Sequence, residues 1–143
     1  MKNRSFLAFD YGEKYIGVAV GSSHRRVAEP VTTLRGSAKN PDWSGVSRLI
    51  DEWHPDALIV GLPLNMDGSD NPMTRAARAF GLRLKERYNL PVHMVDERLS
   101  TLAARDILNE AGVPMRRHKS RLDKLAAQTI LQAFLNELPG ASP

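Results

Sequence analysis

The chain has 143 residues, of which 42% are apolar and 25% charged, with no cysteine and a formal net charge of +4. This composition is typical of a globular protein and excludes a disordered or disulfide-stapled chain. No apolar run reaches the ~20 residues of a membrane helix, and the first residues lack the apolar core of a secretion signal. We therefore expect a cytoplasmic protein with no membrane contact. Its basic excess suits a nucleic-acid partner without requiring one.

The first apolar segments predict three antiparallel strands. "SFLAFDYG" (5–12) and "KYIGVAVG" (14–21) are joined across Gly12, a pattern typical of a β-hairpin. "EPVTTLRG" (29–36) predicts the third strand. The hairpin places an acidic residue, Asp10, at the end of its first strand.

Helices and strands alternate after this hairpin. Apolar residues at helical spacing predict a helix from about Asp42 to just before Pro55, and three further helices are predicted over 71–89, 100–112 and 121–138. "DALIVGLP" (56–63) and "PVHMVDE" (91–97) predict strands, the first buried on both faces. Three aromatic residues on the helical stripes are predicted to lie in the core: Trp53, Phe80 and Phe134.

The order β-β-β-α-β-α-β-α-α predicts an α/β fold, because crossover helices favour parallel strands after the antiparallel start. The chain has no repeat, linker or low-complexity tract. We predict one domain over residues 1–138 and a frayed tail over 139–143.

Carboxylates occur at points that this layout brings together. Asp10 ends the first strand, Asp96 and Glu97 end the last strand, and Asp123 falls in the first turn of the predicted final helix. Carboxylates that are forced close together repel one another, so a cation is the natural compensation. An all-oxygen site without cysteine favours Mg²⁺ or Mn²⁺.

Each acid also has an ordinary structural explanation. Asp123 follows Ser120 by three residues and is compatible with a capping box. Asp96 and Glu97 are compatible with solvated loop acids beside Arg98. Asp10 is compatible with a turn residue before Gly12.

Basic and polar residues flank these acids and are candidates for substrate binding. Arg98 follows Glu97, and Asn65 and Ser69 lie in the turn-rich loop after the buried strand. The run "MRRHKSRLDK" supplies a basic cluster at the entrance to the final helix that we expect to contact phosphates: Arg116, Arg117, Lys119, Arg121 and Lys124. A solvated charged loop is the alternative.

Four blocks resemble the YqgF family, also called RuvX or the pre-16S rRNA nuclease family. They are "FDYGEKYIGVAV", "IVGLPLNMDGS", "DERLST" and "RLDKLAAQTILQAF", in the family's order and spacing. The resemblance implies an RNase H-like fold, with an antiparallel three-strand meander plus parallel strands, related to Holliday junction resolvases. Glu13, at a position where many relatives carry a small or hydroxylated residue, departs from the family pattern.

The resemblance also implies an activity. It implies a metal-dependent endonuclease in which Asp10, Glu97 and Asp123 hold Mg²⁺ or Mn²⁺ and phosphodiester hydrolysis leaves a 5′-phosphate and a 3′-hydroxyl. Asp96 is the alternative to Glu97 as ligand. The expected substrate is the 5′ end of precursor 16S rRNA, on or off the ribosome, and the chain acts as a monomer or a homodimer.

Three alternatives stay open at this point. The chain could resolve branched DNA, as the related resolvases do, or bind nucleic acid without catalysis. An actin-like ATPase or sugar kinase also begins with an Asp-x-Gly hairpin. That class needs two lobes around the nucleotide, and a chain of this length holds about one.

Overall fold

The fold is known from a computed structural model that describes residues 2–36, 40–97 and 115–139, with side chains from 125 onward in the last range. Five strands form one mixed sheet: β1 Ser5–Tyr11, β2 Tyr15–Ser22, β3 Glu29–Arg35, β4 Ala57–Leu62 and β5 Val92–Asp96. Three helices flank it: α1 Trp43–Trp53, α2 Pro72–Tyr88 and α3 Met115–Asn136. The predicted helix at 100–112 lies outside the described residues. The single domain over 1–138 stays a prediction.

The strand order in the sheet is β3-β2-β1-β4-β5. The first three strands are antiparallel, whereas β4 pairs in parallel with both β1 and β5. The turn between β1 and β2 closes with a hydrogen bond from the Gly12 N–H to the Tyr15 carbonyl, at 2.9 Å. The carboxyl ends of β1, β4 and β5 therefore meet at one edge of the sheet.

Two apolar cores form because strand side chains alternate between the faces of the sheet. Leu7 and Phe9 of β1 pack on the face covered by α1 and α2, where Phe80 lies. Phe6 and Ala8 pack on the other face, against apolar residues of α3: Ala127, Ile130, Leu131 and Leu135. β4 is buried along its whole length, as its continuous apolar run predicts.

Local signals fix the ends of α1 and α2. The Asp42 side chain caps α1 by accepting from the Gly45 N–H at 3.0 Å. Asn71 and Thr74 form a reciprocal capping box at the start of α2, followed by Pro72 in the first turn. Both helices end at a residue in the left-handed conformation, His54 and Asn89.

Two sequence predictions about helices were wrong. α3 begins at Met115, six residues before the predicted start at Arg121, so Arg116, Arg117 and Lys119 lie within the helix and not ahead of it. Arg and Lys are good helix formers, which accounts for the longer helix. Trp53 is 41% exposed at the end of α1, although Phe80 on α2 is buried as predicted.

Within residues 2–36, 40–97 and 115–139, every helix is too short or too polar to cross a lipid bilayer.

Candidate active site

Asp10 projects from the carboxyl end of β1. It pairs with Gly17 across the antiparallel ladder and lies one residue beyond the last parallel pair, Phe9 with Val60. Alternation along β1 puts Asp10 on the same sheet face as Phe6 and Ala8, the face covered by α3. The residue is partly exposed. A rigid central strand thus carries a carboxylate to the edge of an apolar layer.

Glu97 follows directly after β5 and is the most buried acid at this edge, at 8% exposure. Its backbone N–H donates to the Leu62 carbonyl at the end of β4, at 3.2 Å. Its side-chain Oε2 is buried and has no hydrogen-bond partner among the described residues. A buried carboxylate oxygen without a donor is costly, so this atom requires an explanation.

The Asp10 and Glu97 carboxyl groups lie within hydrogen-bonding reach of each other. Burial raises the pKa of Glu97 to about 7; a hydrogen bond to Asp10 opposes the shift, and the negative charge of Asp96 adds to it. Burial also raises the pKa of Asp10 well above its usual value, and the Glu97 charge and hydrogen bond raise it further. The pair therefore resists carrying two negative charges unless a cation is bound.

Gly61 of β4 makes room for this pair. A Cβ at this position would overlap Glu97 Oε2 and Ile130 Cδ1, and would lie 3.3 Å from Glu97 Cδ. Hence the Glu97 carboxyl group lies against the bare backbone of β4, beside α3. Sequence reasoning missed Gly61, although a glycine inside a buried strand is itself a signal of a close approach.

Asp123 lies on α3, in its third turn and not in the first turn as predicted. The capping box with Ser120 is therefore wrong, because Ser120 also lies inside the helix. The side chains of residues 115–124 fall outside the described part, so the placement of Asp123 relative to Asp10 and Glu97 stays a prediction. The same holds for Arg98 and for the basic cluster of α3: Arg116, Arg117, Lys119, Arg121 and Lys124.

Two other acids at this edge are exposed. Asp96 ends β5 and is exposed, next to the buried Glu97. Glu13 lies exposed in the turn between β1 and β2. Among the side chains that the structure describes, no three His, Asp or Glu residues are grouped closely enough to hold a metal ion, and the site consists of the Asp10–Glu97 pair.

The loop after β4 is organised by its own side chains. Asn65 donates to Ser69 Oγ at 3.0 Å and accepts from Asn71 Nδ2 at 2.8 Å. Ser69 also bonds to Asp67 Oδ1 through its backbone N–H, at 2.9 Å. Asn65 and Ser69, both predicted to bind substrate, thus hold the loop together, while Met66 at its tip is 75% exposed.

Comparison with known sequences places the chain in a family. A sequence model of the RuvX family, described as Holliday junction resolvase, matches residues 4–137. The chain belongs to the RuvX family. The match spans Asp10, Glu97 and Asp123, and it leaves the actin-like ATPase alternative without support.

Several relatives of this RuvX-family chain carry the name "Putative pre-16S rRNA nuclease". A Nitrosococcus oceani protein is 52% identical over 95% of this chain and 89% of its own length. A Neisseria gonorrhoeae protein is 44% identical over 93% of this chain and 88% of its own length.

Solved structures share the fold at low sequence identity. The fowlpox virus resolvase, in complex with Holliday junction DNA, has a TM-score of 0.57 at 12% identity and covers 95% of this chain and 99% of its own. RuvC from T. thermophilus, also in complex with a Holliday junction, has a TM-score of 0.50 at 17% identity and covers 92% of this chain and 93% of its own. These likenesses confirm the RNase H-like sheet for this member of the RuvX family.

Proposed function

We propose that the chain is a metal-dependent endonuclease that hydrolyses phosphodiester bonds, with Asp10, Glu97 and Asp123 holding Mg²⁺ or Mn²⁺. Its family is one of nucleases and resolvases, so an enzyme of the hydrolase class is expected. The observation that carries the proposal is the Asp10–Glu97 pair, with the unpartnered Oε2 of Glu97 buried beside it.

The available donors fit a hard divalent cation. Both described ligands are carboxylates, and an all-oxygen set suits Mg²⁺ or Mn²⁺. A cation would give Glu97 Oε2 the partner that it lacks and would offset the repulsion between the two carboxylates.

The spacing along α3 supports Asp123 as the third ligand. Position 123 precedes Ala127 by four residues and Ile130 by seven, which is the spacing of one helix face. Ala127 and Ile130 pack on the sheet face that carries Asp10, and Ile130 borders the space above Gly61. This spacing supports Asp123 as the third ligand.

The chemistry divides between the cation and the protein. When bound, a divalent cation activates water and neutralises charge on the attacked phosphate. The protein fixes the ligands: Asp10 lies on a paired strand, and the Glu97 backbone is tied to β4 through Leu62. The apolar layer under α3 shields the buried Glu97 carboxylate from water, and electrostatic interactions are strong in such a setting.

The favoured substrate is precursor 16S rRNA, cut at its 5′ end during ribosome maturation to leave a 5′-phosphate and a 3′-hydroxyl. The names of the relatives support this substrate. The basic residues of α3 and Arg98 are proposed to bind the phosphates. Branched DNA is the second candidate, because the family description names Holliday junction resolution. The protein is proposed to act in the cytoplasm, as a monomer or a homodimer.

A cleavage assay tests this function. Purified protein is incubated with structured precursor RNA and with four-way DNA junctions, each in Mg²⁺, Mn²⁺ or chelator. We expect metal-dependent cleavage by the wild type and by the Asp96→Asn control, and none by Asp10→Asn or Asp123→Asn. Unchanged cleavage by the last two variants would rule out the carboxylate site. Binding of either substrate without cleavage would favour a non-catalytic factor.

A further inference from the structure

A polar cleft lies between the start of α1 and the second half of α2. It has a volume of about 420 Å³ and is lined by five residues: Asn40, Trp43, Arg83, Glu86 and Arg87. Trp43 packs with the core under α1 and α2, so the cleft opens on the sheet face opposite to the one that carries Asp10. The proposed catalytic chemistry makes no use of these residues.

Stacked aromatic rings connect this cleft to the end of β1. Trp43 stacks on Phe80 with ring centroids 5.6 Å apart, and Phe80 stacks on Tyr11 at 4.7 Å. Tyr11 is the next residue after Asp10. A nucleic-acid strand that passes the carboxylate pair therefore needs to cross only the end of the sheet to reach the cleft.

The Arg87 guanidinium is held in place by Trp43. Its Cζ lies 4.2 Å from the centre of the indole ring, which is stacking distance. A guanidinium stacked in this way still presents its N–H edge, and it loses little conformational entropy when it binds a phosphate. The cleft thus contains a preorganised phosphate donor.

Arg83 adds a second cation to the same cleft. Its charge acts on the Tyr11 hydroxyl, where it opposes the rise in pKa that burial causes. In the part of the chain that the structure describes, the ion pairs are Arg25–Glu29 and Arg78–Asp70, so Arg83 and Arg87 are not neutralised by an ion pair. Glu86 carries the opposing charge on the rim of the cleft.

We propose that the cleft lined by Trp43, Arg83 and Arg87 binds a backbone phosphate of the substrate strand, a few nucleotides away from the bond that is cut. The ligand is a single-stranded segment of nucleic acid, with the two guanidinium groups donating to phosphate oxygens. The inference rests on the proposed function, because the strand is that of the nuclease substrate.

A tryptophan signal reports this binding directly. The chain has two tryptophans, Trp43 in the cleft and Trp53 elsewhere on the surface, so a Trp53→Phe variant leaves Trp43 as the only one. A short single-stranded oligoribonucleotide is titrated into this variant in chelator, where no metal-dependent cleavage proceeds. We expect the Trp43 fluorescence to change with the same midpoint as binding measured by anisotropy of the labelled oligonucleotide.

Charge variants then assign the contact to the two arginines. Arg83→Gln/Arg87→Gln should weaken binding about tenfold, as the loss of charged hydrogen bonds implies. It should also lower the salt slope by about 0.7, because the two arginines bind one phosphate and each single-strand phosphate contributes about 0.7. Arg75→Gln/Lys85→Gln removes the same charge from exposed positions of α2 outside the cleft and should leave the salt slope closer to the wild-type value. Glu86→Gln should strengthen binding.

The outcomes separate this inference from the proposed nuclease function. Suppose that the wild type cleaves, that Trp43 fluorescence does not change on titration, and that both double variants bind with the same affinity and salt slope. The cleft is then not a binding site, and the proposed nuclease function stands. If the arginine variant alone loses affinity but the wild type cleaves nothing, the cleft binds nucleic acid and the function fails. If no oligonucleotide binds, the inference is overturned.

Discussion

Gly61 and Glu97 are in such close contact that a Cβ on Gly61 would overlap the Glu97 carboxylate. The atoms that the Cβ would overlap are Glu97 Oε2 and Ile130 Cδ1, and Gly61 itself is fixed because β4 pairs with β1 on one side and β5 on the other. Only glycine at position 61 leaves room for the Glu97 carboxyl group beside Asp10.

The first prediction concerns Gly61→Ala. We expect a loss of about 1–3 kcal/mol in the free energy of unfolding, because a methyl group forced into a filled site strains its surroundings, and a loss of metal-dependent cleavage. The matched control is Gly81→Ala in α2, where a Cβ would meet the flexible end of Met94 at 3.0 Å. Chemical denaturation and the cleavage assay measure both variants. Equal behaviour of the two would contradict the close packing at Gly61.

The second prediction concerns metal binding without catalysis. Mg²⁺ should raise the melting temperature of the wild type, since a ligand at 100 times its Kd stabilises by about 2.7 kcal/mol. Glu97→Gln should remove most of this effect, whereas Asp96→Asn, which alters the exposed neighbour, should keep it. Thermal unfolding with Mg²⁺ and with chelator checks both. Loss of the Mg²⁺ response in Asp96→Asn alone would make Asp96 the ligand.

The third prediction concerns pH in the presence of chelator. The pKa of Glu97 rises from 4.5 to about 7 on folding, so the folded state binds its proton more tightly than the unfolded state does. The stabilisation that the raised pKa of Glu97 gives to the folded state is fully present below pH 4.5 and is lost as pH rises through about 7. It amounts to up to about 3 kcal/mol, at 1.36 kcal/mol per pKa unit.

Urea denaturation at pH 5 and pH 8 therefore should show a fall in wild-type stability that is much smaller in Glu97→Gln. The exposed Glu137→Gln serves as the control and should follow the wild type. Above pH 7 the Glu97→Gln variant should be more stable than the wild type although it is inactive, because its neutral side chain removes the repulsion. A wild-type stability that rises from pH 5 to pH 8, with Glu97→Gln following it, would contradict the raised pKa.

Sequence patterns predicted much of the fold because the decisive signals were local. The hairpin at Gly12, the fully apolar β4 and the Asn71–Pro72 start of α2 each carry their own signal. Asp10 and Glu97 could be paired in advance because parallel strands end at the same edge. The start of α3 was missed because Ser120 resembles a cap, and Trp53 was misplaced because periodicity does not reveal where a helix leaves the core.

The contacts of Gly61 and the cleft beside Trp43 could not be predicted in the same way. Both depend on how distant segments pack: β4 against Glu97 and Ile130, and α1 against α2. Asn65 and Ser69 form a hydrogen bond with each other within the loop, and their contact with substrate stays a prediction.

The fourth prediction concerns the basic start of α3. Arg116→Gln/Arg117→Gln should weaken binding of precursor RNA and flatten its salt dependence by about 1.4–1.8, since each phosphate contact contributes about 0.7–0.9. Arg25→Gln/Arg48→Gln, at exposed positions in the turn after β2 and in α1, is the control of equal charge. Binding titrations over a range of salt concentrations give the slopes. Identical slopes for both double variants would remove α3 from the RNA interface.

The fifth prediction concerns the loop after β4. Asn65 donates to Ser69 Oγ and to the Asp70 carbonyl and accepts from Asn71, all through exposed bonds. Asn65→Ala should therefore cost about 1 kcal/mol of stability, because water partly replaces the lost bonds. Met66→Ala at the exposed tip should cost almost none. If Asn65 acts through the loop and not on the substrate, Asn65→Asp, which keeps the oxygen that accepts from Asn71, should recover part of the stability and of the KM. A KM increase in Asn65→Ala with no loss of stability would instead place its side chain on the substrate.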